Sequence, residues 1–501
     1  MGAKNAVKYL AFMLAVVMLF SSCSILQVGE KKAGEEVGSL TAQTVEPSKS
    51  SNTAATSSAK TGASSKSGGS SKNSSKAVSS AGGTKKSSTW GSTNCKEIIK
   101  KMPTDIAQKG VHVLMWRSYS KGEQAAIDAF ENATGCTVRT TVSSKYSAEL
   151  QLLISQNDSP DVVMIDSDKD WPELAVTSCQ PLDKYTFRLD DGCWNKNQMN
   201  TMTAKGKTFG VAVTGSFLNE DVNYVVYYFP SVLKSAGITT MPYDLWKSGK
   251  WNWDAAHNIA KTFYDKTQKT GIEFLDRDAW ADSCGIGLTS YDYKDSKFVN
   301  NIVDANKKKT IAGAWSQLSR LNAAGLCSEG FDTKKVGRGD CGMYCSISYG
   351  INTENDWFGS VKLTGGVKSI ECVPVPAATQ NSAYVPFRSK CWGVAKGAKN
   401  PEGAAYFLRY FLDPASINQE NLYYNAKCKE VFKYITAAST KKNFMCTKSI
   451  VNYPAAGQFG EIRNLLVKAP ANTTAAVLDN YKGVVTTAVN TSNGIISKYV
   501  K

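Results

Sequence analysis

Few side chains in this sequence are suited to acid–base or nucleophilic catalysis. The 501 residues include two histidines, His112 in an apolar run and His257 within a helical pattern. The sequence therefore offers few histidines for a catalytic triad or for a zinc site built on histidine. It also contains no Gly-x-Ser-x-Gly nucleophile motif. Glycoside hydrolysis needs only two carboxylates. The shortage of histidine does not exclude it, although no pair of carboxylates stands out.

Two segments match parts of metal or phosphate sites, and each lacks a required residue. Residues 166–170 begin like a calcium-binding loop, but Trp171 stands where the turn glycine is needed and Thr177 where the bidentate glutamate belongs. Gly206-Lys207-Thr208 matches the end of a phosphate-binding loop, in which Thr201 replaces the first glycine. The sequence therefore predicts no metal site and no cofactor.

The N-terminus has the layout of a secretory signal over residues 1–22. Lys4 and Lys8 precede the apolar run Tyr9–Phe20, and two serines lead to Cys23. This ending resembles the lipobox of lipoprotein signal peptides, which implies cleavage before Cys23 and its acylation. A plain secretory signal followed by an incidental cysteine is the alternative. No later segment has the apolar length of a transmembrane helix.

Residues 23–92 have the composition of a disordered linker rich in serine and lysine. Between residues 37 and 91 the chain is almost entirely Ser, Thr, Ala, Gly and Lys, which cannot bury enough apolar surface to fold. These lysines account for part of the formal charge of +16. The remainder is mildly basic and shows no cluster of cations interleaved with aromatics, so nucleic acid is not an expected partner.

The cysteines leave two alternatives open. Without Cys23, twelve of the 13 cysteines are scattered over a chain long enough to build an ordinary core. Disulfide bonds are typical of exported proteins, but free thiols explain the number equally well. The sequence does not decide between them.

The elements that must position any site alternate between strands and helices. Val111–Trp116 and Pro160–Asp166 have the apolar character of strands, Val138–Val142 is predicted as a further strand, and the segments between them have helical periodicity. This order predicts a parallel sheet with helices on both faces. Further helices are predicted after Asn252, over 311–325, and from Asn400, where a cap is followed by proline.

The order of these segments resembles the extracellular solute-binding proteins of ATP-driven importers, in the maltose-binding-like branch. The resemblance covers residue 110 to the C-terminus. It is carried by Val111–Phe130, Ser159–Asp166 with Trp171, Leu182-Asp183, Tyr224–Tyr228, Ser235–Ile238, Pro242, Trp251–Asp254, Pro374–Pro376 and Trp392–Glu402. One departure is Tyr227-Tyr228-Phe229, where the family usually has Tyr-Asn-Lys.

The resemblance implies an α/β fold of the two-lobed periplasmic-binding-protein type (type II), in which each lobe is a mainly parallel sheet flanked by helices. The expected crossings between lobes are Tyr224–Tyr228, with Tyr224, Tyr227 and Tyr228 at the hinge, and Lys390–Ala395. The N-terminal lobe would comprise residues 108–223 and 390–437, and the other lobe 229–389 and 438–501. A ligand would be enclosed when the lobes close.

Sugar recognition needs aromatic faces for pyranose rings and planar polar groups for hydroxyls. The sequence supplies 11 Trp and 22 Tyr. The ligand-binding candidates are the aromatic and polar residues at positions expected to face the cleft. They are Trp116, Tyr119, Asp166, Ser167, Asp168, Trp280, Tyr349, Trp357, Arg388 and Trp392. Each has a structural alternative: the tryptophans could be core, Asp166 a cap, and Arg388 the partner of an acid. Trp251, Trp253 and Trp315 are expected in the core.

The resulting interpretation is a non-catalytic, monomeric receptor at the outer face of the cytoplasmic membrane, tethered by a lipid on Cys23. It would capture a small polar solute, with an oligosaccharide as the expected ligand, and deliver it to the permease of an ABC importer. A single-membrane cell suits the long linker best. The alternative is a surface carbohydrate-active enzyme or polysaccharide adhesin that uses the same aromatic residues.

Overall fold

The computed structural model describes most of the chain after residue 98. The described residues are 97, 99–167, 170–185, 187–190, 192–213, 223–351, 353, 357–358, 369–388, 390–416, 423–438, 444–446 and 456–501. Residues 84–501 form one compact unit. The predicted signal peptide, the lipidation site Cys23, the whole predicted linker and the candidate Asp168 lie outside the described residues. Within the described part, no helix is long and apolar enough to cross a membrane.

Helices and strands alternate along the chain, as the sequence predicted for an α/β protein. The helices are α1 (Thr104–Ala107), α2 (Lys121–Thr134), α3 (Tyr146–Ser155), α4 (Glu173–Ser178), α5 (Lys196–Asn200), α6 (Pro230–Ser235), α7 (Pro242–Lys247), α8 (Trp253–Thr267), α9 (Arg277–Asp282), α10 (Ala305–Ala323), α11 (Lys334–Arg338), α12 (Pro401–Phe411), α13 (Ala426–Ala438), α14 (Ala456–Lys468), α15 (Thr474–Asn480) and α16 (Lys482–Tyr499).

The strands are mostly short. They are β1 (Val111–Met115), β2 (Val138–Val142), β3 (Val163–Asp166), β4 (Cys179–Gln180), β5 (Thr203–Ala204), β6 (Lys207–Thr208), β7 (Tyr224–Tyr228), β8 (Thr270–Phe274), β9 (Thr289–Asp292), β10 (Lys297–Asn300), β11 (Cys327–Glu329), β12 (Cys341–Ile347), β13 (Glu371–Pro374), β14 (Val385–Phe387), β15 (Lys390–Ala395) and β16 (Phe444–Cys446).

The first group of strands is built around β1 and β3. Strands β1 and β2 pair in parallel, and a parallel bridge between Val113 and Val162 joins β1 to the three-stranded set β3-β15-β4. All residues of β1, β3 and β15 are buried, as expected for strands covered by helices on both faces.

Helix α12 closes one face of this group and contacts α2, β1 and β15. The Phe407 ring meets Phe130 edge to face at 5.4 Å and stacks on Phe411 at 5.0 Å. Asn400 caps the helix by accepting from the Gly403 amide over 3.0 Å, and its amide donates to the Gly110 carbonyl over 2.6 Å. The cap predicted from Asn400-Pro401 is confirmed, and it also fixes the helix beside β1.

The second group is a five-stranded sheet in the order β11-β8-β12-β7-β13. Strand β8 pairs in parallel with β11 and β12, while β7 runs antiparallel to both β12 and β13. Trp251, Trp253 and Trp315 are 1%, 8% and 2% exposed, which confirms their prediction as core residues. Helix α8 packs against β8 and β12, and α10 packs against α9, α14 and α15.

Both sheets are mixed, whereas the sequence predicted mainly parallel ones. The antiparallel members include β7 and β15, the two predicted crossings between lobes. Strand β7 runs antiparallel to β12, and β15 runs antiparallel to β3. Sequence periodicity identifies a buried strand but carries no information on its direction, so this feature could not be predicted.

The lobe boundaries stay a prediction, with one assignment changed by packing. Residues up to 437 were expected in the N-terminal lobe, but α13 packs against β13 of the five-stranded sheet. Asn425, just before α13, donates to the Ile370 carbonyl over 2.6 Å. These interactions favour placing α13 with the second lobe.

Gly393 in β15 gives a stability test of the close packing at the predicted return crossing. A Cβ at this position would lie 2.4 Å from the Phe209 carbonyl oxygen and 2.8 Å from Ile165 Cδ1. We expect Gly393→Ala to lower the free energy of unfolding by about 1–3 kcal/mol, because the backbone must shift. Denaturant unfolding measures this change.

The matched control is Gly313→Ala in α10, where a Cβ would meet nothing within 4 Å. This exposed helical site should gain roughly 0.5–1 kcal/mol from the better helix propensity of alanine. Equal stability of the Gly393→Ala variant and the parent chain would contradict the packing described for β15.

Candidate ligand-binding site

The loop after β1 is held rigidly by an arginine and a helix cap. Arg117 donates from Nη1 and Nη2 to the Glu123 carboxylate over 2.7 Å and 2.8 Å. The same carboxylate accepts from the Ser120 amide over 2.6 Å, and Ser120 Oγ accepts from the Glu123 amide over 3.3 Å. This capping box fixes residues 116–120 at the carboxyl end of β1.

Trp116 lies at that end and is 40% exposed. The Arg117 guanidinium carbon lies 5.6 Å from the centre of its ring and the Lys390 ammonium nitrogen 5.5 Å. Both distances are within the range of cation–π attraction. The two cations orient the tryptophan while leaving ring surface open to a ligand.

Asp166 and Arg388, two predicted ligand-binding residues, pair with each other. Arg388 donates from Nη2 to Asp166 Oδ2 over 2.9 Å and from Nε to Oδ1 over 3.3 Å. Their side chains are 7% and 17% exposed respectively. The alternative that Arg388 pairs with an acid is therefore confirmed. Ser167 follows and is buried.

The register of β15 brings this ion pair to the exposed tryptophan. Lys390 is the partner of Asp166 in the antiparallel pairing of β15 with β3, and its ammonium group reaches Trp116. Trp116, Asp166, Arg388 and Lys390 thus form one group, here called the first strand-end cluster. Its members lie where ligands bind α/β sheets, at the carboxyl ends of parallel strands.

The crossing segments connect this cluster to the second sheet. A bridge joins Asn223 to Phe387, the residue before Arg388, and Tyr224 follows Asn223 at the start of β7. The Tyr224 hydroxyl donates to Asp276 Oδ2 over 2.8 Å. Asp276 comes just after β8. The Tyr224–Asp276 hydrogen bond and the Asn223–Phe387 bridge therefore connect the carboxyl end of β8 to the segment that carries Arg388.

The other two predicted hinge tyrosines are fully buried in β7. The Tyr227 hydroxyl donates to the Ile347 carbonyl over 2.8 Å, and the Tyr228 hydroxyl to the Glu371 carboxylate over 2.5 Å. Burial raises the pKa of both phenols well above the usual range, so they act as neutral donors. These bonds fasten the predicted crossing strand to the second sheet.

Aromatic rings lie at the carboxyl end of the second sheet. Tyr349 follows β12 and meets Trp357 edge to face at 5.6 Å. Phe331 follows β11, is 69% exposed and meets Trp357 at 6.1 Å. Tyr349 and Trp357 were predicted ligand-binding residues, and the structure brings them together. Phe331, Tyr349 and Trp357 form the second strand-end cluster.

Of three other candidates, Trp280 and Trp392 are buried packing residues and Tyr119 is partly buried. Trp280 and Trp392 are each 1% exposed; Trp280 packs edge to face on Phe274 at 5.4 Å and Trp392 on Phe411 at 6.0 Å. Tyr119 meets the same Phe411 at 5.9 Å, and burial raises the pKa of its hydroxyl. The alternative of core tryptophans is the one that the structure supports for Trp280 and Trp392.

Several polar contacts were not predicted from the sequence. Arg117 and Lys390 flank the exposed tryptophan, and Arg463 Nε forms an ion pair of 2.6 Å with Asp278 Oδ2 in α9. The Arg463 partner could not be predicted, because the two residues are far apart in the chain. Lys390 could have been identified from the sequence, because a lysine at the start of an apolar strand is unusual.

The described residues contain no group of three or more His, Cys, Asp or Glu side chains placed to hold a metal ion. The acids described above each face an arginine or a tyrosine hydroxyl instead. The arrangement supplies aromatic faces, carboxylates and guanidinium groups for binding.

These features define a class of protein: an α/β binding protein whose polar and aromatic groups gather at the carboxyl ends of two sheets. Residues 125–425 match the family of bacterial extracellular solute-binding proteins. The match spans more than half of the chain, and the protein belongs to this family. It is accordingly an extracellular solute-binding protein and not an enzyme.

Solved structures with the same fold show low sequence identity. The galacto-N-biose/lacto-N-biose I-binding protein of an ABC transporter from Bifidobacterium longum, in complex with lacto-N-biose, is 14% identical; the alignment covers 77% of this chain and 98% of that one, with a TM-score of 0.56. The cyclic alpha-maltosyl-1,6-maltose binding protein from Arthrobacter globiformis is 15% identical over 78% of this chain and 100% of that one, with a TM-score of 0.52.

The GacH receptor of Streptomyces glaucescens, solved unliganded and with acarbose, is 15% identical over 75% of this chain and 99% of that one, with a TM-score of 0.51. At these identities the likeness establishes the fold, which confirms the two-lobed binding-protein prediction. A sequence search among curated proteins gave no match.

The Asp166–Arg388 pair predicts a measurable coupling. In a double-mutant cycle with Asp166→Asn and Arg388→Gln, we expect a coupling energy of about 1–3 kcal/mol, because the carboxylate is buried and doubly hydrogen-bonded. Denaturant unfolding of the four chains measures it.

The Arg139–Asp158 pair, whose side chains are 55% and 37% exposed, is the matched control. Its coupling should stay at or below roughly 1 kcal/mol because solvent screens the charges. Equal coupling in the two pairs would contradict a special role for Asp166 and Arg388.

Proposed function

We propose that the protein is a lipid-anchored, monomeric receptor that captures an oligosaccharide between two closing lobes and delivers it to an ABC importer. The observation that carries this proposal is the first strand-end cluster. Trp116 is 40% exposed and lies within cation–π distance of Arg117 and Lys390, and Lys390 is paired in the sheet with Asp166, the partner of Arg388. Stacking on a pyranose ring with hydroxyls bonded to carboxylate and guanidinium groups is how such a set would hold a sugar.

The second strand-end cluster supplies the opposing surface in this proposal. Phe331 and Trp357 meet nearly at right angles, with an interplanar angle of 85°, which presents an edge and a face to a ligand. A sugar that binds both clusters at once would stabilise the closed lobes, because only closure brings both surfaces against it. The saccharides named for the structurally similar proteins support the same ligand class.

The hinge is proposed at β7 and at the segment entering β15. The Asn223–Phe387 bridge holds the two segments side by side, and Tyr224, Tyr227 and Tyr228 fasten β7 to the second sheet. Hinges of this kind use a few residues at the ends of elements.

Binding is tested by titrating residues 84–501 with a panel of oligosaccharides, amino acids and peptides. We expect saturable binding of one saccharide class, with a rise in melting temperature and no product. Trp116→Ala should weaken that binding about thirtyfold, which corresponds to about 2 kcal/mol for loss of a central aromatic contact. Calorimetric titration measures the affinities.

The control for this experiment is Tyr499→Ala, at an aromatic residue that is 46% exposed in α16 and remote in sequence from both clusters. Its affinity should equal that of the parent chain. Binding of an amino acid or peptide alone would overturn the sugar assignment, and retention of an insoluble polysaccharide without binding of oligosaccharides would favour an adhesin.

The anchor is proposed from the N-terminal sequence. We expect the chain produced in a bacterium to partition with membranes and to carry a lipid-modified Cys23 at its mature N-terminus. Cys23→Ser should release it into the medium, because one residue supplies the acylation site, whereas Cys136→Ser should leave it membrane-bound. Detergent partitioning and N-terminal mass spectrometry distinguish these outcomes. An unmodified Cys23 in membrane-free protein would contradict the anchor.

A further inference from the structure

We propose that Glu273 is a positioning residue for ligand binding, which holds Phe331 and Trp357 of the second strand-end cluster in the orientation that meets a ligand. Glu273 lies in β8, is 1% exposed and was not among the candidates predicted from the sequence. The proposal rests on the function proposed above, because it takes the second strand-end cluster as part of the ligand site.

Glu273 places a carboxylate inside the second sheet. Lys335 donates from Nζ to Glu273 Oε2 over 2.8 Å, and the lysine side chain is 39% exposed. Moving a carboxylate out of water costs several kcal/mol, which offsets most of the attraction within a buried ion pair. The pair therefore contributes little net stability, and its main effect is on the position of the segments that it joins.

The carboxylate holds the chain just before Phe331. Ser328 in β11 donates from Oγ to Glu273 Oε2 over 3.1 Å. Glu273 Oε1 has no hydrogen-bond donor among the described residues and packs against Gly330, where a Cβ would lie 2.7 Å from it. The Gly330 amide donates to the Phe274 carbonyl over 3.0 Å. The residue that precedes Phe331 is thus fixed against the acid and its strand.

The same carboxylate holds the chain after Phe331 through Lys335 in α11. Between these two residues, the Thr333 amide donates to the Phe331 carbonyl over 3.0 Å, and Thr333 Oγ1 donates to the Trp357 carbonyl. One buried acid therefore anchors both sides of a short loop whose tip carries Phe331. Thr333 connects this loop to Trp357, the ring that Phe331 meets edge to face.

A second ion pair in the same sheet provides a matched control. Lys427 in α13 donates to Glu371 Oε1 in β13 over 2.6 Å, and its side chain is 39% exposed, as is that of Lys335. The Glu371 side chain is 12% exposed. This pair joins a helix to the sheet without contacting the loop of Phe331, so its loss should leave the second strand-end cluster unchanged.

The first test measures the position of Phe331 without any ligand. The full chain is produced with 4-fluorophenylalanine at Phe331 and studied by fluorine NMR. We expect one narrow resonance in the parent chain and in Lys427→Met, because the loop is anchored in both. In Glu273→Gln, which removes the charge at nearly constant shape, the resonance should broaden or move toward that of the unfolded chain. An unchanged resonance in Glu273→Gln would overturn the proposal.

The second test measures affinity for the saccharide that the calorimetric titration identifies. Glu273→Gln should weaken binding about fivefold, which corresponds to about 1 kcal/mol, and Lys427→Met should leave it unchanged. In a chain that already carries Phe331→Ala, Glu273→Gln should have no further effect on affinity, because the acid acts through that ring. A merely structural acid would lower the melting temperature and leave the affinity unchanged. Unchanged affinity, or the same loss in the Phe331→Ala chain, would overturn the proposal.

A further variant approaches the contact from the loop side. Gly330→Ala places a methyl group against the held carboxylate and should change the fluorine resonance of position 331 as Glu273→Gln does, so the test stands even if Glu273→Gln does not fold. An unchanged resonance in Gly330→Ala would contradict the close packing on Glu273. Failure of the proposed function has a different signature: the parent chain binds no saccharide, and the fluorine resonance still decides whether Glu273 positions Phe331.

Discussion

The ion pair between Asp166 and Arg388 is the interaction on which the geometry of the site depends. It joins the carboxyl end of β3 to the residue that follows Phe387, and Phe387 is bridged to Asn223 at the start of β7. One charged contact therefore positions the end of the first sheet relative to both predicted crossing segments. Because the carboxylate is buried, loss of the guanidinium would remove a compensating positive charge from its side. Lys390 is placed by the same register and orients the exposed tryptophan.

Much of the fold could be predicted from local patterns. Apolar runs identified β1, β3 and β7, and caps at Asn252 and Asn400 located helix starts, because these signals depend on neighbours in the chain. Strand direction and the placement of α13 beside β13 could not be predicted, since they depend on partners distant in sequence. The family resemblance predicted the two crossings between lobes. The structure adds that β7 and β15, the strands at these crossings, run antiparallel to their neighbours.

The site was harder to predict because residue type does not separate a ligand-binding tryptophan from a core one. Trp116 follows a strand and stays exposed, whereas Trp392 lies within β15, all of whose residues are buried. Trp280 lies in a short helix that packs on α10, a contact invisible to sequence. Phe331 was missed although it is the most exposed ring of its cluster, because a single aromatic in a loop gives no periodic signal.

We propose that the carboxyl ends of the two sheets form one ligand site that closes around a sugar. This closure is tested by small-angle X-ray scattering of residues 84–501 during titration with an oligosaccharide that the calorimetric titration has shown to bind. The radius of gyration should fall saturably, with the same midpoint as calorimetric binding, and Trp116→Ala should shift both midpoints together. Saturable binding with an unchanged radius of gyration, or a change in radius that Trp116→Ala leaves untouched, would show that the two lobes do not close around a ligand held at Trp116.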